Sequence, residues 1–269
     1  MRLATWNVNS LKARLPRVLD WLEKQDPRPD VLCMQETKAN DADLPVEALR
    51  ALGYELAHHG LGRWNGVAIA SRIGIEDVAA GLAPTPDGWA DEGGRFLAAT
   101  CGGVRVVSIY VPNGRVVGSE HFEAKLRWLE RLGDWVEQAR APSVELPSRD
   151  LIVCGDFNVA PEEADVWDAA AAHGGTHVSA EERARIARLR ELGLVDVVRR
   201  FHPEPGYFTW WDYRAGHFHK NFGMRIDHVY ASEALASRAT GAARDREARK
   251  PKSFAGIPSD HAPVVVDFG

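Results

Sequence analysis

Leu151-Ile152-Val153-Cys154-Gly155-Asp156-Phe157-Asn158 is an apolar run that stops at a carboxylate and an amide. Its first residues read as a buried strand, and Gly155 stands where a side chain would crowd the chain. Asp156 and Asn158 are two apart, so in extended chain both side chains leave the same face. A stiff element that ends in two polar groups is where a preorganised site is best anchored.

Working outward, five more apolar runs carry a chemically useful residue at one end. Leu3 to Val8 leads into Asn7 and Asn9, Val31 to Met34 ends in Gln35-Glu36, and Val104 to Val111 ends with Tyr110 and Asn113. Two late runs carry theirs at the start, with Asp227 in Arg-Ile-Asp-His and Asp260-His261 in Ser-Asp-His-Ala-Pro. If the last two strands run antiparallel to the others, all six sets meet on one rim of a sandwich.

Further strands are expected over Tyr54 to His58, Gly66 to Ser71 and Arg95 to Thr100. Leu15, Val18, Leu19 and Leu22 recur at helical spacing in a segment running to about Gln25, with Pro16 tolerable in a first turn. Further helices are expected near Pro45 to Leu52, from Ser119 to about Arg140 and from Glu181 to Leu192. A Gly/Pro-rich loop is expected from Gly81 to Gly94, and a linker with Pro142 and Pro147 before Leu151. Helices are too few to alternate with every strand, so two packed sheets with outer helices fit better than a doubly wound sheet. A single α/β domain over residues 1–269 is the expectation.

The chain has 269 residues, 45% hydrophobic, with a net charge of -5. That balance neither announces nor excludes a nucleic-acid partner, because acidic metal ligands can offset a local basic rim. Cys33, Cys101 and Cys154 lack metal-ligand spacing and read as buried free thiols. The chain opens directly into Arg2-Leu3-Ala4, and no apolar run approaches the ~18 residues of a membrane span. A soluble, cytoplasmic protein with no membrane partner is expected. Carboxylate and amide oxygens with few histidines suit Mg²⁺ or Mn²⁺ better than zinc. His paired with Asp beside such a cation suits phosphate-ester hydrolysis. A Gly-x-x-x-x-Gly-Lys loop is absent, so nucleoside triphosphate is not the implied substrate.

Thr-Trp-Asn-Val-Asn-Ser-Leu-Lys-Ala-Arg, Gln-Glu-Thr-Lys, Tyr-Val-Pro-Asn-Gly, Gly-Asp-Phe-Asn, Trp-Asp-Tyr-Arg, Arg-Ile-Asp and Ser-Asp-His-Ala-Pro occur in that order over residues 3 to 268. The ordered set resembles bacterial exonuclease III and its abasic-site endonuclease relatives. The resemblance implies a four-layered α/β sandwich of deoxyribonuclease I type, two mixed β-sheets flanked by helices. It also implies a Mg²⁺-dependent phosphodiesterase of base excision repair, with Mn²⁺ as a substitute. Expected activities are 3′-to-5′ exonuclease, 3′-phosphate removal and abasic-site incision, on double-stranded DNA with abasic sites, nicks or blocked 3′ ends. Nothing demands more than a monomer.

By the same resemblance Glu36 is the principal metal ligand, with Asn7, Asp156 and Asn158 beside it and Asp260 at a second metal position. Asp156 activates or positions water, Asn158 contacts phosphate, and His261 oriented by Asp227 polarises the phosphoryl oxygen. Tyr110 competes with Asp156 for the role of base. Asn113, Arg95, Arg115, Lys220 and Arg225 are candidate DNA contacts, and the basic run 244–252, with five Lys/Arg against two Asp/Glu, reads equally as a contact to the DNA backbone or as a solvated loop. Trp210, Met224 and Ile226 fall where an extruded abasic sugar is received. His177 occupies a position where abasic-site endonucleases of this kind often carry a small residue. Its imidazole would fill that slot, making 3′-end processing more secure than internal incision. The competing readings are a phosphatase of the same superfamily acting on a non-DNA ester, and an inactive DNA-binding module.

Overall fold

The computed structural model describes residues 1–86, 88–91, 93–141 and 150–269. The expected linker at Pro142 and Pro147 lies outside the described residues. The strands are β1 (Arg2–Asn7), β2 (Val31–Gln35), β3 (Glu55–His59), β4 (Val67–Ser71), β5 (Glu76–Ala80), β6 (Phe96–Cys101), β7 (Val104–Tyr110), β8 (Leu151–Asp156), β9 (Leu194–Asp196), β10 (Asp227–Ser232), β11 (Ala239–Arg244) and β12 (Val264–Phe268). They form two mixed sheets, ordered β11-β12-β1-β2-β4-β3 and β5-β6-β7-β8-β10-β9.

Leu3, Cys33, Ile69, Leu97, Val106, Cys154, Val229 and Val264 fill the space between the sheets. All three cysteines are free and buried. The helix Leu11–Lys24 buries Val18, Trp21 and Leu22 against the outer face of the first sheet. On the second sheet, the helices Glu120–Arg140 and Ala180–Glu191 bury Trp128, Leu129, Leu132, Ile186 and Leu189. Helix, sheet, sheet and helix make the four layers expected. Among the described residues no helix is long and apolar enough to cross a membrane.

Three strands were not expected from the pattern: β5, β9 and β11. Each lies at the edge of a sheet and pairs on one side only. Glu-Asp-Val-Ala-Ala in β5 is exposed throughout, and Ala-Thr-Gly-Ala-Ala-Arg in β11 is broken by a register shift. Edge strands need neither alternation nor strong β-formers, so periodicity is silent there.

Strand directions build the rim. β1 is parallel to β2 and β7 to β8, whereas β12 runs antiparallel to β1 and β10 to β8. The C-terminal ends of β1, β2, β7 and β8 therefore meet the N-terminal ends of β10 and β12. Register then sets Asp156 opposite both Tyr110 and Asp227.

Gly155 lets these strands close. It has φ +140, and a Cβ there would stand 2.0 Å from the Ile109 carbonyl oxygen. Gly155→Ala is expected to cost about 3 kcal/mol or more, since backbone strain and overpacking each contribute ~1–3 kcal/mol. The urea midpoint checks this, and an unshifted midpoint would refute it.

Candidate active site

Asn7 joins the two sheets at the rim. Its amide nitrogen donates to Glu36 Oε1 from β2's end and to Asp156 Oδ2 from β8, at 2.9 Å each. The Asn7 side-chain oxygen accepts from the Asn9 amide at 3.0 Å. Asn7 thus spaces the carboxylates, and its oxygen is turned toward backbone. Asp156 Oδ1 accepts from the Asn158 amide at 2.9 Å.

Glu36, Lys38, Asn9, Asn158 and His177 all have positive φ. Left-handed non-glycine residues cost energy, and their concentration here marks a site held by its surroundings.

His261 Nδ1 lies 2.9 and 3.1 Å from the two Asp227 oxygens, and Thr209 Oγ1 donates to Asp227 at 2.6 Å. The other ring nitrogen, Nε2, lies 3.8 Å from Asp156. Burial pulls the imidazole's pKa down, but Asp227 and Asp156 outweigh it and push His261 up to about 10. Burial lifts Asp156 to about 7 against the pull of His261. Burial, then Glu36 and Asp156, push the Tyr110 phenol well above its ordinary value. Tyr110 is therefore a proton donor at neutral pH.

Ligand atoms of Glu36, Asp156 and His261 lie within 4.8 Å of one another. Two carboxylates suit a hard cation, and the Lys38 ammonium sits 2.8 Å from Glu36 Oε2, holding positive charge there. Asp260 is outside this cluster. Its oxygens accept from Asn9 at 3.0 Å and Trp210 at 3.1 Å.

A cavity of 170 Å³ opens over the cluster, lined by Glu36, Tyr110, Asn113, Asp156, Asn158, His177, Trp210, Ile226, Asp260 and His261. Trp210, Met224, Val166, Val178 and Ile226 form an apolar wall beside it. His177 is half-buried, its Nδ1 2.5 Å from the Asn158 carbonyl oxygen. Burial and the Lys125 ammonium push His177 down to about 4, so it is neutral. A hollow of 600 Å³ beside the helix Ala180–Glu191 contains none of the clustered groups.

Two expected DNA contacts are corrected. Arg225 is fully buried, paired with Asp165 at 2.5 Å and Asp196 at 2.8 Å. It braces the body of the protein and is not available to phosphate. The basic run is largely structural as well: Arg244 donates to Phe208 O, Arg246 to Phe218 O, and buried Arg249 to Trp211 O. Arg95 is half-buried, bonded to Tyr110 O and Asn65, with its guanidinium 4.8 Å from the Tyr110 ring centroid. Arg115 and Asn113 are exposed on the loop after β7, and Lys220 is exposed at the end of the short helix His217–Lys220.

Lys125 and Glu182 form a fully buried pair below the site. Lys125 donates to Asn158 O at 2.6 Å and Asn113 O at 3.1 Å, while Glu182 accepts from the His177 amide at 2.9 Å. Neither was singled out in the sequence. The available signals were a lysine on the apolar face Phe122-Leu126-Leu129, and Ser179-x-x-Glu182 as a capping box.

Such a rim, two carboxylates with a carboxylate-bound histidine at one end of an α/β sandwich, defines a phosphoester hydrolase. The chain belongs to the Endonuclease/Exonuclease/phosphatase family, whose pattern it matches over residues 4–261. It is a hydrolase of the nuclease type. Exodeoxyribonuclease III of Haemophilus influenzae is 31% identical over 100% of both chains. The structure of the 3′ phosphatase NExo from Neisseria bound to product DNA hairpin superposes with a TM-score of 0.91 at 38% identity, covering 100% of this chain and 99% of that one. An AP endonuclease from Archaeoglobus fulgidus gives 0.90 at 35% identity, with the same coverage.

Proposed function

We propose that this chain is a Mg²⁺-dependent DNA phosphodiesterase that trims 3′ ends and removes 3′-phosphates during base excision repair. It acts as a cytoplasmic, single-domain monomer on nicked or 3′-blocked duplexes. The observation that carries this is the Glu36–Asp156–His261 cluster, with its second carboxylate Asp227 on His261, in a cavity also lined by Tyr110, Asn113 and Asn158.

Glu36 and Asp156 would hold the cation, which when bound neutralises charge on the phosphate. Asp156, ionised beside the cation, takes the proton of the attacking water. His261 Nε2–H donates to a phosphoryl oxygen, held by Asp227 in the orientation that aims it there. The Tyr110 phenol donates near the leaving oxygen. Asn158 and Asn113, whose side chains meet at 3.4 Å, hold the phosphate.

End-labelled duplexes with a recessed 3′ end, a 3′-phosphate or an internal abasic analogue, each with Mg²⁺ and with EDTA, test this. Mg²⁺-dependent shortening and dephosphorylation are expected. Failure on every duplex, with turnover of a soluble phosphate ester, would favour the non-DNA phosphatase; failure on both classes would favour the inactive module.

Internal abasic incision is the weaker activity in this reading, because the His177 ring lines the slot with Trp210 and Ile226. His177→Gly is a mild change, since φ +78 suits glycine. It is expected to raise abasic incision by roughly 10- to 100-fold, the scale of a modest steric misplacement. Unchanged incision would discard the steric role.

A further inference from the structure

The rim loops expose apolar side chains. Trp64 is 68% exposed, Val116 67%, Tyr213 49% and Trp167 41%. Exposed apolar surface gathered beside a polar site marks a contact surface. Trp167 differs from Trp64 and Tyr213, whose rings meet arginines, in being stacked on another ring. Its ring lies 4.0 Å from Phe222 at an interplanar angle of 18°, a parallel stack. The Trp167 amide donates to Gly223 O at 3.0 Å, and neighbouring Val166 bridges to Met224, which in turn bridges to Trp210. The stack is therefore the outward continuation of the slot wall. The Lys220 ammonium lies 5.7 Å from the Phe222 ring centroid, so the charge beside the stack is positive.

Phe222 covers one face of an indole that still keeps two-fifths of its surface. Paired rings are stiff and lose little freedom when a third planar group joins them. Nucleobases are the planar groups a strand crossing this rim would present, and base–aromatic stacking tolerates any sequence because every base has a π-face. We propose that Trp167, backed by Phe222, stacks against one unpaired nucleobase of the bound DNA, next to the nucleotide at the slot. This deepens the DNA reading above and rests on it.

The test is a cycle between protein and substrate. Recessed duplexes are shortened with Mg²⁺, one intact and the others each lacking a single base near the cleaved phosphate on either strand. Trp167→Ala is expected to raise KM on intact duplex roughly 5- to 100-fold, the scale of one stacked base. The effect on kcat should stay within about twofold, and Trp167→Phe should restore KM. On one of the base-lacking duplexes the parent should already show the raised KM, and Trp167→Ala should add nothing further. An unaltered KM, or equal losses on every duplex, overturns the stacking site. Parent protein that shortens no duplex sinks the DNA reading itself, a distinguishable outcome.

Discussion

Asp156→Asn is expected to lower kcat for Mg²⁺-dependent DNA cleavage by about 10²- to 10⁴-fold, the usual worth of a positioned general base. The substitution preserves shape and removes charge. In the parent both oxygens accept, from the Asn158 amide and from Asn7 Nδ2, at 2.9 Å each. An amide has one accepting end, so one of these bonds must be given up whichever way it turns. Asn7 would then span one carboxylate instead of two. KM should move much less than kcat, because Asn113, Asn158 and His261, the groups proposed to hold the phosphate, are untouched.

The pH profile separates lost base from lost shape. Without a metal, burial lifts Asp156 to about 7, and an adjacent divalent cation pulls a carboxylate down. The parent rate should therefore rise with pH through a limb below 7, since the base works when ionised. The variant should lack that limb. A variant that keeps a tenth of the parent kcat, with the limb intact, would remove Asp156 from the chemistry and favour another base.

Much of this site was legible because strands announce themselves and their ends are countable. Apolar runs terminating in Asn7, Glu36, Tyr110 and Asp156, and starting at Asp227 and His261, needed only two reversed strands to converge. β10 and β12 supply both reversals. What escaped the sequence was partnership. Arg225 stands two residues before Asp227 and reads as a rim cation, yet Asp165 and Asp196, 60 and 29 residues away, bury it. Nothing local to Arg225 distinguishes a phosphate contact from an internal brace. Residues 244–252 misled in the same way, because a charge run is judged by its surroundings and these arginines reach inward to carbonyls of the aromatic loop. Edge strands escaped for a different reason: pairing on one side leaves their composition free.

Lys125 and Glu182 show the cost of such hidden partnership. Lys125→Met is expected to destabilise the protein by about 3–5 kcal/mol, the price of leaving one member of a buried ion pair uncompensated. Both side chains are fully buried, so water cannot replace the ammonium. Gly114 packs so closely that a Cβ there would stand 2.8 Å from Lys125 Cδ, which leaves little space for the side chain to be redrawn. The double variant Lys125→Met with Glu182→Gln should recover part of the loss, not all. Glu182 also accepts from the Ser179 and His177 amides, and a glutamine can serve only one of its two oxygens' partners. Urea midpoints of parent, both singles and the double give the coupling energy. Burial raises Glu182, but Lys125 outweighs it and holds the carboxyl below its ordinary value. A depressed carboxyl contributes stability that is present above the unfolded value, near 4.5, and is lost as pH falls through the folded one. The gap between parent and double variant should therefore narrow in acid. Because Lys125 also holds the Asn158 and Asn113 carbonyls, Lys125→Met should lose kcat even well below its melting temperature. Full stability loss with unchanged kcat would make the pair a core brace alone, without a part in aligning the phosphate-binding loops.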